Sequence, residues 1–287
     1  MVNDNLNVIE VDNKGNIIIG SFPSVYQSAI MWSGNNNVLY CEMGVDLKNS
    51  KITFNGNNSL IYLHANAPIV NSLDLSIFSD SVIHIGRRCR AKQVVRVIIG
   101  EKKHLFIGDD CLFSSGITIR NADGHMIYGI EDYNRVNSSK SIFMGDHVWV
   151  GQDVLMLKGT RIDSGSVIGG GSVISGKMVE HNSVWAGNPA MCVRSGVFWD
   201  VSFPNDFSKA ELKNAENYGD FLNHRGVNQS ERDRWIYGYD NEEAISWDDI
   251  DSKLSEGEAM EKWRYLRKLN ENVGKNRLIH KNKLKSK

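Results

Sequence analysis

The sequence offers little that would tie the chain to a membrane or to a nucleic acid. No apolar run approaches the roughly 18 residues that a membrane-spanning helix needs. The N-terminal stretch MVNDNLNVIE has neither the basic segment nor the apolar core of a signal peptide. The formal net charge is −1, which provides no overall field to attract nucleic acid or anionic lipid. We therefore expect no membrane span and no nucleic-acid partner.

Cysteine is also scarce, with four residues among 287, at Cys41, Cys89, Cys111 and Cys192. They form no CxxC pair and no Cys/His spacing typical of a metal site. We interpret all four as reduced thiols in the core of a cytoplasmic protein, and we expect no metal requirement.

The chain does contain a period of six. An aliphatic residue recurs every six positions between residues 144 and 174, often followed by a small residue. A helix repeats at 3.6 residues and a half-buried strand at 2, so neither explains this period. Six residues fit a short strand plus a tight corner, which is typical of a β-helix. The predicted inward residues are Met144, Val150, Met156, Ile162, Ile168 and Ile174.

Upstream, the repeat continues at a spacing of 22 residues. Its inward residues would be Cys41, Leu63, Ile85 and Ile107. A triangular coil of three hexads needs 18 residues, so we expect each of these turns to carry about four extra residues as corner loops.

One interval in the repeat is much longer. From Ile107 to Met144 the gap is 37 residues, which corresponds to one coil of 18 and an excursion of 19. Because Phe113 and Ile119 keep the six-residue period, the excursion lies at about 121–140. A loop of this length inside a tight solenoid usually carries function.

The two ends differ from the repeat. Residues 1–36 are predicted to form an N-terminal β cap, 37–194 the β-helix, and 195–287 a helical extension. Lys209–Leu222 and Gly257–Val273 are predicted as helices, the second with an apolar stripe that would dock on the solenoid or on a second subunit. The stripe consists of Met260, Trp263, Leu266 and Leu269. The stretch Lys275–Lys287 has six basic residues and no acidic one. We interpret it as a solvated tail, with electrostatic capture of an anionic polymer as the alternative.

Three motifs occur in an order that resembles the hexapeptide-repeat acyltransferases. They are NADGH at residues 121–125, MGDHVWVG at 144–151, and VIGGGSVISGKMVEHNSVWAGNPAMCVR at 167–194. Within that family the chain looks most like the bacterial capsule and lipopolysaccharide O-acetyltransferases, including those that act on sialic-acid polymers. The resemblance implies a mainly β fold, a left-handed parallel β-helix, and a homotrimer with active sites between subunits. It also implies acetyl-CoA as the acetyl donor.

Acetyl transfer to a hydroxyl needs a base for the alcohol proton and donors for the oxyanion. His64, His84 and His104 lie in or beside repeat strands, and His147 occupies a corner as an ordinary turn residue. His125 alone lies in the excursion, at the position of the family's catalytic histidine. We interpret it as a general base for direct attack, with Asp123 or Asn121 as candidates to fix its tautomer.

Trp149 lies between two inward aliphatic residues, so its side chain should point outward from the prism. An outward tryptophan needs a reason such as a bound ligand or a subunit interface. The family resemblance implies a catalytic role, with the indole N–H donating to the oxyanion or the thiolate, and a place beside the thioester.

The remaining site residues follow from the resemblance alone. Gln152 and Gly170 would contact the acyl-pantetheine arm, Ser175 and Lys177 match a Thr-Lys pair with Gly176 inserted, and Arg194 would meet the coenzyme A phosphates. The family commonly has a second basic residue where this chain has Met191.

Three functions are compatible with these features. The first is an acetyl-CoA-dependent O-acetyltransferase for a bacterial surface polysaccharide, with sialic-acid polymers among the candidate acceptors. The second is an acetyltransferase for a small acceptor such as an amino sugar nucleotide, a simple sugar or serine. The third is a solenoid that only binds a ligand, and His125 together with Trp149 argues against it.

Overall fold

A computed structural model describes residues 7–66, 71–91, 93–241, 243–272 and 274–280. Over these residues most strands form three sheets, and the chain passes from one sheet to the next at tight corners, which gives a three-sided prism. In chain order the strands up to residue 195 are β1 Val8–Val11, β2 Ile17–Gly20, β3 Ser24–Tyr26, β4 Ala29–Trp32, β5 Val38–Cys41, β6 Asp46–Lys48, β7 Lys51–Phe54, β8 Leu60–Leu63, β9 Leu73–Ile77, β10 Val82–Ile85, β11 Arg90–Ala91, β12 Val95–Ile99, β13 His104–Ile107, β14 Leu112–Phe113, β15 Thr118–Arg120, β16 Ile142–Met144, β17 Trp149–Val150, β18 Leu155–Leu157, β19 Arg161–Ile162, β20 Val167–Ile168, β21 Val173–Ile174, β22 Met178–Val179, β23 Ser183–Gly187 and β24 Ala190–Ser195.

We number the sides of the prism by their strand order. Face 1 is β1-β2-β5-β8-β10-β13-β16-β19-β22, face 2 is β11-β14-β17-β20-β23-β24, and face 3 is β21-β18-β15-β12-β9-β7-β4. Pairing is parallel except between β1 and β2 and between β23 and β24. The chain passes from face 1 to face 2 at the 1–2 corner and from face 2 to face 3 at the 2–3 corner. It returns from face 3 to face 1 at the 3–1 corner. The predicted parallel β-solenoid is therefore confirmed.

The strand register reproduces the spacings read from the sequence. Val82 pairs with Leu60 on one side and with His104 on the other, each 22 residues away. Met144 pairs with Ile107 across the 37-residue interval and with Ile162 across 18 residues. All ten predicted inward residues are buried, with at most 5% of their surface exposed.

The extra residues of the 22-residue coils do not lie where we expected. On faces 1 and 3 these coils have strands of four or five residues, such as β10 and β12, whereas the 18-residue coils have two or three, such as β18 and β19. On face 2, β11, β14, β17 and β20 have two residues each. The expectation of corner loops is wrong. A longer strand places two side chains inward, as Ile83 and Ile85 do, and so widens the core.

The N-terminal segment contains the expected strand pair, since β1 lies antiparallel on β2. Beyond that pair, β2, β3 and β4 lie parallel to β5, β6 and β7, so regular coiling begins before residue 37. Residues 1–6 lie outside the described residues. As domain boundaries, 1–36, 37–194 and 195–287 stay a prediction.

After β24 the described chain is mainly helical. The helices are α1 Lys209–Asn214, α2 Tyr218–His224, α3 Trp247–Leu254 and α4 Ala259–Leu269, with 3₁₀ turns at Pro204–Asp206 and Gln229–Glu231 and a parallel pair of β25 Ile245–Ser246 and β26 Leu278–Ile279. The single helix expected over 209–222 is wrong. Asn217 starts a new helix there, because its side chain accepts hydrogen bonds from the backbone N–H groups of Gly219 and Asp220.

Helices α3 and α4 cover the outer side of face 1. The predicted stripe on α4 packs against outward side chains of the solenoid, and Trp263 and Leu266 are buried there. The Trp263 ring lies 6.1 Å from the Tyr40 ring. The stripe therefore docks on the solenoid of its own chain. No helix in the described part of the chain is long and apolar enough to cross a membrane.

Candidate active site

Trp149 points outward from face 2, as its position in the six-residue period predicts. It is 38% exposed, while its neighbours Val148 and Val150 are fully buried. Its indole Nε1 donates to Ser114 Oγ at 3.3 Å. The Trp199 ring, from the segment after β24, lies 5.9 Å from the Trp149 ring. The tryptophan thus stands on a solvent-facing surface with one aromatic neighbour.

Trp149 belongs to a row of outward residues that runs along face 2. In register, Trp149 pairs with Val167, Val167 with Val184, and Val184 with Arg194. Adjacent strands lie about 4.7–4.9 Å apart, so Arg194 is three strands, or roughly 14 Å, from Trp149. Arg194 is exposed. Two of the predicted site residues therefore line one face, separated by two valines.

Gln152 and Gly170 lie on successive coils at the 2–3 corner, next to this row. The backbone N–H of Gly171 donates to the Gln152 carbonyl oxygen at 2.7 Å, and both Gln152 and Gly170 are exposed. A Cβ at Gly170 would lie 3.2 Å from that oxygen, a tight but limited contact. Coil stacking demands glycine more strictly at Gly151, where a Cβ would lie 2.6 Å from Gly170 N. The role of Gly170 towards pantetheine stays a prediction.

The excursion leaves the prism at the 3–1 corner and is held by a buried amide, Asn137. Asn137 Nδ2 donates to the His125 carbonyl oxygen at 2.7 Å and to Asp123 Oδ2 at 2.9 Å, and its Oδ1 accepts from Ile127 N at 2.9 Å. Lys158 Nζ, from the solenoid, reaches the same Asp123 oxygen at 2.5 Å. Both Lys158 and Asn137 contribute to a lowered pKa of Asp123. These contacts fix the backbone on both sides of His125.

The His125 side chain is exposed on this loop. The two residues considered as its partners are used elsewhere. Asn121 is buried and exchanges two hydrogen bonds with the Gly100 backbone, at 2.9 and 2.8 Å, and Asp123 is held by Lys158 and Asn137. Among the described residues, neither forms a hydrogen bond with the imidazole. The role of His125 as a general base stays a prediction.

Ser175 and Lys177 belong to the same corner as the excursion. Gly176, between them, donates its N–H to the Lys158 carbonyl oxygen at 3.0 Å, one coil away. The predicted site residues therefore divide into two groups within one chain. Trp149, Gln152, Gly170 and Arg194 line face 2 and the 2–3 corner, whereas His125, Ser175 and Lys177 lie at the 3–1 corner.

His147 is more than the turn residue we expected. Its φ of +54° does place it at the 1–2 corner, but its ring is buried between Trp199 and Trp235, with centroid distances of 3.9 and 3.7 Å. Burial lowers the pKa of His147 to about 4. The partners lie far downstream, so sequence spacing gave no signal for this contact.

The cysteines also differ from expectation at one position. Cys41, Cys89 and Cys111 are buried in the prism, and burial raises the pKa of Cys41 to about 12. Cys192 is exposed on β24, because that strand folds back antiparallel at the end of face 2. The interpretation of Cys192 as a core thiol is wrong.

Only the first part of the basic stretch, residues 275–280, lies within the described residues. Arg277 is buried, donating to both Asp146 carboxylate oxygens at 2.9 and 2.7 Å and lying 3.1 Å from Asp109. His280 is also buried. A solvated tail from Lys275 onward is therefore wrong for this part. Residues 281–287, with the remaining lysines, lie outside the described residues.

The described residues contain no group of three or more His, Cys, Asp or Glu side chains placed to hold a metal ion.

The chain is similar to two solved structures over nearly their whole length. The polySia-specific acetyltransferase NeuO matches with a TM-score of 0.58 and 28% identity, over 74% of this chain and 94% of that one. The polysialic acid O-acetyltransferase OatWY matches with a TM-score of 0.54 and 30% identity, over 70% and 95%. These matches and the hexad-built prism show that the chain belongs to the hexapeptide-repeat acyltransferases.

Sequence comparison finds proteins of the same kind over a shorter range. The polysialic acid O-acetyltransferase of Neisseria meningitidis is 34% identical over 152 residues, which are 52% of this chain and 58% of that protein. The chain spans about half the length of the curated relatives it matches. No family model matches the sequence.

Proposed function

We propose that the protein transfers an acetyl group from acetyl-CoA to a hydroxyl of an acidic bacterial polysaccharide, with a sialic-acid polymer as the leading acceptor. The observation that supports this most is the solvent-facing row on face 2. It places an exposed indole and an exposed guanidinium about 14 Å apart on one surface. Two relatives with the same fold are named for acetyl transfer to polysialic acid.

The row on face 2 suits an elongated donor with phosphates at one end. Arg194 would bind the phosphates of acetyl-CoA, because a guanidinium is a permanent and delocalised cation. The arm would lie along Val167 and Val184 towards Trp149, with Gln152 and Gly170 at its edge. The thioester is the only group of the donor that has to react.

His125 would take the proton of the acceptor hydroxyl. As that proton leaves, the hydroxyl oxygen bonds to the acetyl carbonyl carbon, and the oxyanion that forms accepts a hydrogen bond from Trp149 Nε1. The C–S bond then breaks, and the imidazolium returns the proton to the departing thiolate. A positioned general base contributes about 100- to 10,000-fold, and a preorganised oxyanion donor about 100- to 1000-fold.

This chemistry needs His125 and Trp149 in one site, although within one prism His125 lies at the 3–1 corner and Trp149 on face 2. We propose that the 3–1 corner of one subunit faces the 2–3 corner and face 2 of the next, in a trimer closed by threefold symmetry. The excursion presents exposed apolar side chains, which are typical of a surface covered by a partner. They are Met126, Ile127, Tyr128, Ile130, Tyr133 and Val136.

The test is acetyl transfer from acetyl-CoA to a panel of acceptors, with the O-acetyl product measured by mass spectrometry. The product is the better readout because the exposed thiol of Cys192 would react with thiol reagents used to follow coenzyme A. The panel contains a sialic-acid polymer, a neutral capsular oligosaccharide, monosaccharides, an amino sugar nucleotide and serine. We expect the polymer to be the best acceptor. Turnover only with the small acceptors would overturn the acceptor assignment, and no transfer to any of them would overturn the proposed function.

A further inference from the structure

A pocket of about 240 Å³ lies beside Trp149, on the side away from Arg194. One wall is Leu112, the in-register neighbour of Trp149 on β14. The lining is also aromatic, since Trp199 and Trp235 from the C-terminal extension stack on either side of the His147 ring. Since Trp199 lies 5.9 Å from Trp149, the pocket adjoins the residue on which acetyl transfer was proposed to depend.

The pocket carries an excess of positive charge. Three guanidinium groups, from Arg88, Arg90 and Arg234, line it together with one carboxylate, from Asp110. Arg88 and Asp110 neutralise each other through two hydrogen bonds of 2.8 and 2.6 Å.

The other two cations are available to a ligand. Arg234 lies over the Trp235 ring at 4.4 Å and is 3.7 Å from Glu231, in a pair that is more than half exposed. Arg90 is half-buried, and its side chain has no hydrogen bond or ion pair with any described residue. A guanidinium with no partner in the described chain can form two parallel hydrogen bonds to an anionic ligand without breaking an existing ion pair.

We propose that this pocket binds a carboxylate-bearing sugar residue of the acceptor, next to the residue that is acetylated. Arginine is suited to a carboxylate because its planar fork gives two parallel hydrogen bonds. The volume is below the range of about 300–1000 Å³ that suits drug-sized ligands, so it fits a group of about one sugar ring, packed on aromatic walls. This inference rests on the proposed function, which supplies the acceptor.

The position of the pocket separates acceptor from donor. Arg90 pairs in register with Leu112, and Leu112 with Trp149, so Arg90 lies two strands from Trp149, or roughly 10 Å. Arg194 lies three strands away in the opposite direction. We therefore assign an anion at Arg90 to the acceptor and the phosphates at Arg194 to the donor. The other source of an anion would be the coenzyme A phosphates, and the experiment distinguishes the two.

The experiment replaces Arg90 by glutamine in the full chain. Binding and acetylation of a sialic-acid oligomer are measured beside the same oligomer with its carboxyl groups reduced, at low salt. We expect Arg90→Gln to raise both Kd and KM for the acidic oligomer about tenfold, since a charged hydrogen-bonded contact is lost. The KM for acetyl-CoA, the kcat, and the affinity for the reduced oligomer should stay unchanged. Arg90→Lys should lose less than Arg90→Gln, because it keeps the charge but not the fork.

The matched control is Arg96→Gln, which removes an exposed guanidinium from the same coil on face 3 and should leave Kd unchanged. An equal loss in Arg96→Gln, an equal loss for the reduced oligomer, or no loss in Arg90→Gln would overturn the subsite. A raised KM for acetyl-CoA would assign the pocket to coenzyme A instead. The directly measured Kd distinguishes a failure of the acceptor subsite from a failure of the proposed function. Binding that depends on Arg90 without acetyl transfer would refute only the proposed function, and transfer that is indifferent to Arg90 would refute only the subsite.

Discussion

Outward-facing aromatic residues occur on face 1 and on face 2 of the prism, and the two sets differ in how deeply they are buried. On face 1, Tyr62, Phe106 and Phe143 point away from the core but are buried beneath α3 and α4. On face 2, Trp149 occupies an equivalent outward position and stays 38% exposed. The aromatic residues of face 1 are explained by the helices that cover them. Trp149 remains exposed in the described part of the chain, and on this difference we base the proposal that face 2 is the functional surface.

The histidines make the same distinction. Burial lowers the pKa of His104 to about 3 and that of His147 to about 4, and it lowers that of His84 as well. These rings remain neutral at physiological pH and serve as packing groups. His125 differs from them in being exposed on a loop whose backbone is held from both sides. An exposed side chain on a fixed backbone suits a group that must meet a substrate.

The largest expected effect comes from removing the imidazole on the loop. His125→Ala should lower kcat about 100- to 10,000-fold and leave the KM for acetyl-CoA nearly unchanged, since the group acts on the acceptor proton. Steady-state rates with the preferred acceptor measure this. His224→Ala, an exposed histidine on α2, is the control and should keep its activity. A variant at residue 125 that retained more than a tenth of the wild-type rate would rule out the general base.

The same variant tests whether the site is shared between subunits. His125→Ala and Trp149→Ala chains, refolded together in equal amounts, should recover about a quarter of the wild-type activity, because a random trimer then contains some sites with both side chains intact. Activity that stays at the level of the separate variants would contradict the shared site. Light scattering of the wild-type protein should give the mass of a trimer.

The second effect compares the same Trp→Phe substitution at an exposed position on face 2 and at a buried position where α3 packs on face 1. Trp149→Phe should lower kcat on the order of 100-fold, because the indole donor is lost, while the free energy of unfolding changes little at an exposed position. Trp247→Phe, on the side of α3 that is buried against face 1, removes the donor to the buried Asp163 carboxylate at 3.1 Å and should cost about 1–3 kcal/mol of stability. Its kcat per folded subunit should be unchanged. If both variants lost activity and stability together, the distinction between the faces would fail.

The sequence predicts features of the fold and site that depend on residues close together in the chain, and it misses those that depend on distant partners. The six-residue period specifies the inward column because each inward residue, such as Met156, is required by its own coil and the next. The excursion follows from the same counting. His147 and Arg277 could not be predicted in this way, since their partners lie 52 and 131 residues away along the chain. The amide of Asn137 was missed because a polar residue in a polar loop has no period to mark it.

The third effect is a pH dependence of stability that arises from the 1–2 corner. The folded pKa of His147, about 4, lies below the unfolded value near 6.5. Between these values the unfolded chain binds a proton that the folded ring does not, so stability falls as the pH drops from about 6.5 to about 4. His147→Phe keeps an aromatic ring between the two tryptophans and should reduce the slope of unfolding free energy against pH in this window. Urea unfolding at several pH values measures the slope, and an unchanged slope would contradict the assignment.

The smallest effect concerns the basic stretch, whose two parts should behave differently. Truncation after His280 removes lysines that lie outside the described residues. If these lysines attract an anionic polymer, truncation should raise the KM for a sialic-acid polymer a few-fold at low salt and leave kcat alone. The difference should fade as the salt concentration rises, because screening acts over about 8 Å at physiological ionic strength. Arg277→Ala should instead destabilise the fold by about 3–5 kcal/mol, since it leaves Asp146 and Asp109 buried without their cation. A truncation that changed neither KM nor its salt dependence would show that these lysines take no part in capturing the polymer.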